Sequence, residues 1–461
     1  MFRICSDISD RFGPSSRREF LRVGGLSCLG LTTADLVRAH AISAPSKRAA
    51  KRCIVLFFLG GPPQHSTWDP KPLAPANIRG EFAPISTNVP GLQIASLFPH
   101  VAKQADKFCF LRAVSTDDNA HSSSGYYMLT GVPHAPKNAE NVNPGAPNDW
   151  PNLGSLVRRL QGDPLGIPSA VRLPMHIFNT DHSVWPGQDG GFLGRSADPW
   201  LFRCEPHAPK FHIPEFSLGR DVSPERFADR RDLLQKLDRS IATLAPSPLQ
   251  PAQDQAFNVL TSPKARAAFD LNAESDATKE KYGRTPFDQS CLLARRIVEA
   301  GVSLVQVNWY RGPEEPADAP CWDSHVREAD RLKTALAPTA DRAIAGLIED
   351  LHQRGMLEDT LVCCLSEFGR SPRINAAAGR DHWGHVFSVA LAGGGVRGGM
   401  AYGSSDAQGA YPIDGRVSPS DLIATVLDSL GIDPHREIRD SQNRPFAASR
   451  GQVLHKILKS A

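Results

Sequence analysis

Residues 53–63 read CIVLFFLGGPP, and this stretch decides the fold. Its first seven residues are all apolar, without alternation, which is typical of a parallel strand buried on both faces of a sheet. The glycine and proline pairs that follow predict a loop at the strand's carboxyl end. Because ligands of open α/β sheets bind beyond the carboxyl ends of strands, this loop is a first place to look for a functional site.

Three further stretches, mostly apolar, predict strands. They span residues 108–114, 302–308 and 360–365, and each leads into a polar segment rich in histidine or carboxylate. Leucines and alanines at helical spacing predict a long helix over residues 324–355, ended by its last glycine. The alternation of strands and helices favours an α/β fold: a doubly wound, mostly parallel sheet with helices on both faces.

The size of the chain suits one large domain. With 461 residues, 41% of them hydrophobic, it can bury a large core, and we place a single domain at residues 50–461. Residues 162–278 are rich in proline and poor in strand signals, which predicts an irregular insertion or cap. The 52 basic and 49 acidic residues leave a formal charge of +3, which gives no reason to expect a nucleic-acid partner. We expect the partner to be a small molecule or a glycan.

The N-terminus predicts an export signal. Residues 16–22, SRREFLR, match the twin-arginine pattern and precede a mild apolar run over residues 23–33. A membrane-spanning helix needs about 20 apolar residues, and Asp35, Arg38 and His40 interrupt this run before that length. We therefore expect a signal peptide over residues 1–44, no stable membrane span, transport by the twin-arginine export machinery, and a periplasmic or extracellular protein.

Four clusters of histidine and carboxylate residues follow the predicted strands. A lone histidine is more often a hydrogen-bonded structural residue than a ligand, but four such clusters at strand ends are hard to arrange by chance. Together they predict a divalent metal site, and the ligand types admit zinc, manganese, calcium or magnesium. No Cys-x-x-Cys pair is present, so a thiolate zinc site is not expected. The candidate metal ligands are His65, Asp69, His121, Asp323, His325, Glu367, Asp381 and His382.

These motifs also resemble those of a known family. They are LGGP at 59–62, HSSSGYYMLTG at 121–131, WDSH at 322–325, EFGR at 367–370, GRDHW at 379–383 and AGGG at 392–395. As a set they resemble the twin-arginine-exported family called domain of unknown function fifteen-oh-one, over nearly all of residues 50–435. That family is similar to the alkaline-phosphatase and sulfatase superfamily, which implies an alkaline-phosphatase-like fold and a site for phosphate or sulfate esters.

The resemblance implies roles for individual residues around one metal. Asp323 and His325 resemble an aspartate and a histidine that bind this metal, and His382 resembles its last histidine ligand. Glu367 lies where relatives have a metal-binding aspartate. Phe368 follows it where they have a histidine, and phenylalanine cannot replace that ligand. The expectation is therefore one well-supported metal site and an altered second one.

The resemblance also indicates where the reaction would take place. His121 occupies the position of the superfamily's nucleophile, ahead of the Leu-Thr-Gly signature, so Ser122 or a metal-bound water would have to attack instead. From the residues themselves, Arg370 and Arg380 are candidates for binding an anionic group, because a guanidinium pairs bidentately with phosphate or sulfate oxygens. The alternative for each arginine is a structural salt bridge.

Several tryptophans border the clusters. Aromatic rings at such positions stack on sugars, whereas most tryptophans pack at the rim of a core. Both interpretations stay open for Trp68, Trp309, Trp322 and Trp383.

Three functional hypotheses follow. The leading one is a metal-dependent hydrolase of phosphate or sulfate esters, acting on a small-molecule or glycan ester outside the cytoplasm. The second is a degenerate relative that binds glycan or another cell-surface component without catalysis, which the missing nucleophile favours and the intact histidine and aspartate groups oppose. The third is a transferase of similar anionic groups, which the sequence does not separate from the first.

Overall fold

The apolar run at residue 53 forms the central strand of an eight-stranded sheet, as predicted. The computed structural model describes residues 50–164, 166–209, 211, 213, 223–241, 253–254, 257–258, 261–309 and 321–459. The signal peptide predicted over residues 1–44 lies outside the described residues. The strands are β1 (Arg52–Phe57), β2 (Pro84–Ser86), β3 (Gln93–Ala95), β4 (Phe108–Val114), β5 (Ala170–Leu173), β6 (Trp200–Leu201), β7 (Leu304–Asn308), β8 (Thr360–Leu365), β9 (Gly369–Arg370), β10 (His382–Trp383), β11 (Phe387–Gly393), β12 (Met400–Tyr402), β13 (Ser404–Ser405), β14 (Pro412–Asp414), β15 (Glu437–Arg439) and β16 (Pro445–Ala447).

Helices connect and flank these strands. Several have a helix-capping residue at their N-terminus. The helix that starts at Pro286 has a capping box, in which Thr285 and Asp288 each accept a hydrogen bond from the other's backbone nitrogen through their side chains. The long helix predicted over 324–355 is present, with a π-helical turn at Leu332–Leu336 between two α-helical parts. The helices are α1 (Ala76–Arg79), α2 (Pro99–Ala102), α3 (His121–Thr130), α4 (Leu153–Gln161), α5 (Pro224–Ile241), α6 (Pro263–Phe269), α7 (Asp276–Tyr282), α8 (Pro286–Glu299), α9 (Glu328–Arg331), α10 (Ala337–Gln353) and α11 (Pro419–Ser429).

The strand directions bring the predicted clusters to one edge of the sheet. The strand order is β12-β4-β11-β8-β1-β7-β5-β6, and β1 pairs in parallel with both β7 and β8. Strand β11 is antiparallel to β4 and to β8, so β4 runs in the same direction as β8. The carboxyl ends of β1, β4, β7 and β8 and the amino end of β11 therefore meet at the same edge. The predicted α/β fold with a mostly parallel sheet is confirmed.

The stretch predicted as an insertion contributes to the main sheet. Strand β5 pairs in parallel with β7 and β6 pairs in parallel with β5, so part of residues 162–278 extends the sheet rather than interrupting it. These strands have four and two residues, too few to give the long apolar run by which β1 was recognised. In the described part of the chain, no helix is long and apolar enough to cross a membrane.

Candidate metal centre

Loops at this edge bring together Asp323, His325 and His382, which we call the three-ligand cluster. The Nε2 atoms of the two histidines lie 2.9 Å apart. Asp323 Oδ1 lies 3.0 Å from Nε2 of His325 and 3.1 Å from Nε2 of His382. Ligand atoms about 2.0–2.1 Å from a tetrahedral ion are separated by about 3.3 Å, so these atoms have nearly the spacing of one face of a metal site.

His121 supplies a fourth candidate ligand atom. Among the described residues, His121, Asp323 and His382 each offer a ligand atom within 4.8 Å of the others. Nε2 of His121 lies 3.2 Å from Asp323 Oδ2. Its other nitrogen, Nδ1, lies 2.8 Å from Oε1 of Glu367, a fully buried carboxylate that also accepts a 2.8 Å hydrogen bond from the Gly60 backbone. Glu367 therefore orients the His121 ring rather than leaving it to rotate.

One polar atom beside the three-ligand cluster fits a bound ion. Nε2 of His121 is buried and has no aligned hydrogen-bond partner in the described part of the chain, although it lies 3.2 Å from Oδ2 of Asp323. Glu367, predicted as a ligand, is placed behind His121 instead. A buried polar atom without a partner is costly, and a metal ion is one way to satisfy it. The residues present thus fit a divalent cation.

Outer contacts hold the histidine ligands in position. Nδ1 of His382 donates to the backbone carbonyl of Asn119 at 2.8 Å, which leaves the lone pair of Nε2 for the cluster. Nδ1 of His325 lies 3.2 Å from Asp381 Oδ1. Such carboxylate or carbonyl partners are the usual supports of metal-binding imidazoles. Asp381, predicted as a ligand, is thus placed behind His325.

The electrostatics of the cluster are dominated by Asp323. Burial alone would raise its pKa, but the Arg370 guanidinium and His121 hold that pKa well below the usual range, so the carboxylate stays ionised. Burial lowers the pKa of His382 to about 4, so its imidazole is neutral, the form that binds metals. Burial also acts to lower the pKa of His121, but the carboxylates of Asp323 and Glu367 outweigh it and raise the pKa to about 9.

The glycine pair after β1 lets the backbone approach this site. Gly60 has φ +107°, and a Cβ there would lie 2.2 Å from the backbone nitrogen of Asp323. Any other residue would strain the backbone and displace the loop that carries Asp323. The turn that marked the strand end in the sequence is therefore part of the scaffold of the metal centre.

Helix α3 positions His121 at its first residue. The helix is nearly completely buried, and its small residues permit this; a Cβ on Gly125 would lie 2.2 Å from the ring of Trp185. Ser122, the alternative attacking group, is fully buried and donates its hydroxyl to Asn179 Oδ1 at 2.7 Å. Its hydroxyl is thus engaged outside the three-ligand cluster.

Arg370 lies against the three-ligand cluster and is fully buried. Its Nη2 donates to Asp323 Oδ1 at 2.6 Å and also bonds the carbonyl of Gly60, while its Nε bonds the carbonyl of Gly61 at 3.1 Å. Nη1 donates to the Arg380 carbonyl at 3.0 Å. The guanidinium is therefore committed to the protein, as in the salt-bridge alternative, and places a fixed positive charge beside the ligand carboxylate.

Arg380 has the same character but a different partner. It is fully buried, its Nε donates to Glu328 Oε2 at 2.9 Å, and its Nη2 donates to the Ile78 carbonyl at 2.7 Å. Its remaining donor bonds the carbonyls of Ser371 and Pro372. These contacts also match the salt-bridge alternative, and they tie the loop after β9 to α9.

Phe368 fills the space beside the three-ligand cluster. Its ring stacks on His382 with centroids 4.5 Å apart and lies 4.9 Å from the ring of His121. The resemblance expects a metal-binding histidine at this position, and a phenylalanine ring has no ligand atom to offer a second ion.

The structure does not bring His65 and Asp69 into the cluster. Nε2 of His65 lies 2.7 Å from the carbonyl of Gln408, and burial lowers the pKa of this histidine to about 3. Asp69 binds Lys71 at 3.0 Å and also accepts from Ser405. Both predicted ligands therefore have structural partners. The loop that carries His65 and Asp69 packs against residues 404–409. No signal in the local sequence predicts this contact.

Two residues near the cluster were missed in the sequence. Asn119 accepts from His382 through its carbonyl, and its side-chain Oδ1 accepts from Gly384 at 2.7 Å. Glu140 accepts from the backbone nitrogen of His121 at 2.7 Å and lies 3.9 Å from Nδ1 of His382. Asn119 lies in the loop between β4 and α3, directly before the motif that begins at His121. Glu140 follows no predicted strand, so a search at strand ends does not find it.

The tryptophans separate into two groups. Trp68, Trp309 and Trp322 are at least nine-tenths buried, and they pack against phenylalanines of the core. Trp383 is partly exposed and lies beside His382 in the sequence. Of the four, only Trp383 keeps the position expected of a sugar-stacking ring.

Fold and site together define an α/β protein with a mostly parallel sheet and a candidate metal centre of histidine and carboxylate side chains. Within that class, the chain belongs to the DUF1501 family, described as "Protein of unknown function", which matches residues 50–458. The resemblance seen in the motifs is thereby confirmed. No curated protein matches the sequence.

Solved structures that match this chain at low identity include three bacterial enzymes. The PsFucS1 sulfatase from Pseudoalteromonas sp. is 14% identical, with 91% of this chain and 72% of that chain covered and a TM-score of 0.39. The phosphonate monoester hydrolase SpPMH from Silicibacter pomeroyi is 13% identical, with coverages of 89% and 77% and a TM-score of 0.40. The lipoteichoic acid synthase LtaP from Listeria monocytogenes is 10% identical, with coverages of 86% and 78% and a TM-score of 0.39.

Proposed function

We propose that this protein is an exported, metal-dependent hydrolase of phosphate or sulfate esters. The observation that carries the proposal is the three-ligand cluster, in which two imidazole nitrogens and a carboxylate oxygen lie 2.9–3.1 Å apart. This is a donor set for one divalent ion, and its two nitrogens favour zinc or manganese over calcium or magnesium. The bound ion would supply a Lewis acid that balances charge developing on the transferring group.

The residues around the cluster have distinct tasks in this proposal. Asp323, His325 and His382 hold the ion. Arg370 neutralises part of the Asp323 charge through its 2.6 Å contact. Without an ion the pKa of His121 is about 9 and its ring is protonated, whereas a bound cation would oppose that proton. With Glu367 holding Nδ1, the deprotonated Nε2 would then complete the ligand set or take the proton of an attacking water. The metal content of His121→Ala distinguishes these two tasks. Loss of the ion would make His121 a ligand, whereas a retained ion would make it a base.

The test begins with the metal content of the mature protein, purified without chelators. We expect close to one ion per chain in the wild-type protein and in the control His352→Ala, which alters an exposed histidine on α10. Asp323→Ala and His382→Ala should lose the ion. The same four proteins are then assayed with p-nitrophenyl phosphate, p-nitrophenyl sulfate and a phosphonate monoester. A wild-type protein without metal, or equal turnover in all four, would refute the proposal.

A second function is favoured by one observation. The position where the superfamily has its nucleophile is His121, and the neighbouring Ser122 hydroxyl is bound to Asn179. A protein that binds a glycan or another cell-surface component without cleaving it would tolerate this arrangement. A full complement of metal together with no turnover of any of the three esters would favour this candidate.

Export is proposed from the sequence motif alone. The Arg17-Arg18 pair begins a twin-arginine pattern, and that pathway carries folded proteins with a cofactor already bound. Replacement of both arginines by lysine should leave the protein in the cytoplasm, with the wild type recovered from the periplasm or the medium. Unchanged localisation of the variant would exclude this route.

A further inference from the structure

Trp383, His385 and Tyr411 form a group of packed rings that we call the aromatic platform. The Trp383 and His385 centroids are 4.8 Å apart, and Tyr411 lies 5.8 Å from Trp383 and 5.3 Å from His385. The Trp383 indole N–H donates to the Ala410 carbonyl at 2.6 Å, which fixes the ring. Tyr411 is 51% exposed, so one side of the platform faces solvent.

The aromatic platform adjoins the metal centre through the chain itself. Trp383 directly follows the ligand His382, and His385 lies three residues after it. An extended chain of three residues spans about 10 Å, so the platform begins within that distance of the cluster. The Asn119 loop ties the two together, since it bonds His382 at 2.8 Å and Gly384 at 2.7 Å.

A charged pair borders the rings. Asp117 Oδ1 lies 3.4 Å from Nδ1 of His385, and its other oxygen pairs with Arg416. The side chains of Asp117 and Arg416 are 40% and 54% exposed. Flat aromatic faces next to charged hydrogen-bonding groups match the two surfaces of a sugar ring, whose C–H face is apolar and whose hydroxyl edge is polar.

We propose that the aromatic platform binds a sugar ring of the substrate, which makes the substrate a phosphorylated or sulfated glycan. The inference rests on the proposed ester hydrolysis and specifies its substrate class. The sugar stacks on the exposed ring of Tyr411, beside the edge of Trp383, whose plane is inclined at 67° to that of Tyr411. Its hydroxyls bond Asp117 and Arg416. The ester group on that sugar or on its neighbour then lies at the three-ligand cluster.

The test is binding of oligosaccharides to the full-length mature protein, measured by titration calorimetry. The probes are cellohexaose, chitohexaose, agarohexaose and a sulfated carrageenan hexaose. Tyr411→Ala should weaken binding of at least one probe roughly tenfold, because an aromatic contact contributes on the order of 1 kcal/mol. Tyr411→Phe, which keeps the ring, and Ile413→Ala, a 68% exposed position on β14, should bind like the wild type.

Two results overturn the platform proposal: no binding of any probe by the wild type, or equal binding by Tyr411→Ala and the wild type. Metal content and p-nitrophenyl ester turnover are measured on the same samples. Metal and turnover without glycan binding would remove the platform proposal and leave the hydrolase. Tyr411-dependent glycan binding without turnover would retain the platform and remove the hydrolase.

Discussion

Two sets of candidate ligands come from loops at the same edge of the sheet, yet only one set converges. Asp323 and His382 meet within 3.1 Å, although 59 residues separate them. His65 follows the central strand just as directly, but it bonds the Gln408 carbonyl, and Asp69 binds Lys71. The comparison shows that a strand end fixes where a backbone emerges and leaves open which partner its side chain meets.

The largest expected difference lies between the two aspartates. Asp323→Asn should abolish metal binding and lower the free energy of unfolding by about 3 kcal/mol, because it leaves the buried Arg370 guanidinium without its counter-charge. Asp69→Asn should keep the metal. Elemental analysis and urea denaturation of both variants measure these effects. If Asp323→Asn retains its metal, the three-ligand cluster is not the metal site.

The two histidines sharpen the same comparison. His382→Ala removes a ligand atom and should lower metal affinity more than about 100-fold. Loss of a residue that only supports a ligand lowers metal affinity by up to about 100-fold. His65→Ala removes a histidine with no ligand neighbour and should leave metal affinity unchanged. Competition with a chromophoric chelator gives both affinities. Equal losses in the two variants would mean that His65 belongs to the metal centre after all.

The pH dependence of stability should differ in direction between two buried histidines of the metal-free protein. The folded pKa of His65 is about 3, below the value of about 6.5 in the unfolded chain, so its contribution is present above pH 6.5 and is lost as pH falls toward 3. The folded pKa of His121 is about 9, so its contribution is present below pH 6.5 and is lost as pH rises toward 9.

Urea unfolding at pH 4.5, 6.5 and 8.5 in the presence of a chelator checks this. His65→Asn should reduce the loss on the acid side by about 2 kcal/mol, and His121→Asn should reduce the loss on the alkaline side by a similar amount. Identical profiles for the two variants would contradict the assignment of opposite shifts.

Much of the fold could be predicted because its central strands carry their signal locally. Strands β1, β4, β7 and β8 are mostly apolar, with Arg112 in β4 and Gln306 in β7 as interruptions, and each is buried along most or all of its length. Strand β5 could not be recognised, since four residues in a proline-rich stretch give no period to measure. Its place in the sheet depends on pairing with β7, more than 130 residues further along the chain.

The site was predictable to the extent that its residues lie in short motifs. Asp323, His325 and His382 came from motifs beside strand ends, and the structure brings them together. The contacts of Arg370 could not be predicted, because all of its partners except the Asp323 carboxylate are backbone carbonyls from separate loops. An arginine that binds substrate and one that holds a loop in place look the same in a sequence. The structure separates them, because it shows whether the N–H donors of the guanidinium are already bonded to the protein.

The smallest expected effect concerns Ser122, where the structure and the superfamily pattern point in different directions. Its hydroxyl donates to Asn179 at 2.7 Å, and the Ser122 side chain is fully buried. Ser122→Ala should therefore cost about 1 kcal/mol of stability, the net value of one hydrogen bond, and change ester turnover less than about threefold. A serine that attacks the substrate behaves otherwise, because its removal lowers kcat by several orders of magnitude. Turnover of p-nitrophenyl phosphate or sulfate by Ser122→Ala decides the point: a collapse of kcat with full metal content would make Ser122 the nucleophile, and near wild-type turnover would leave attack by water at the three-ligand cluster.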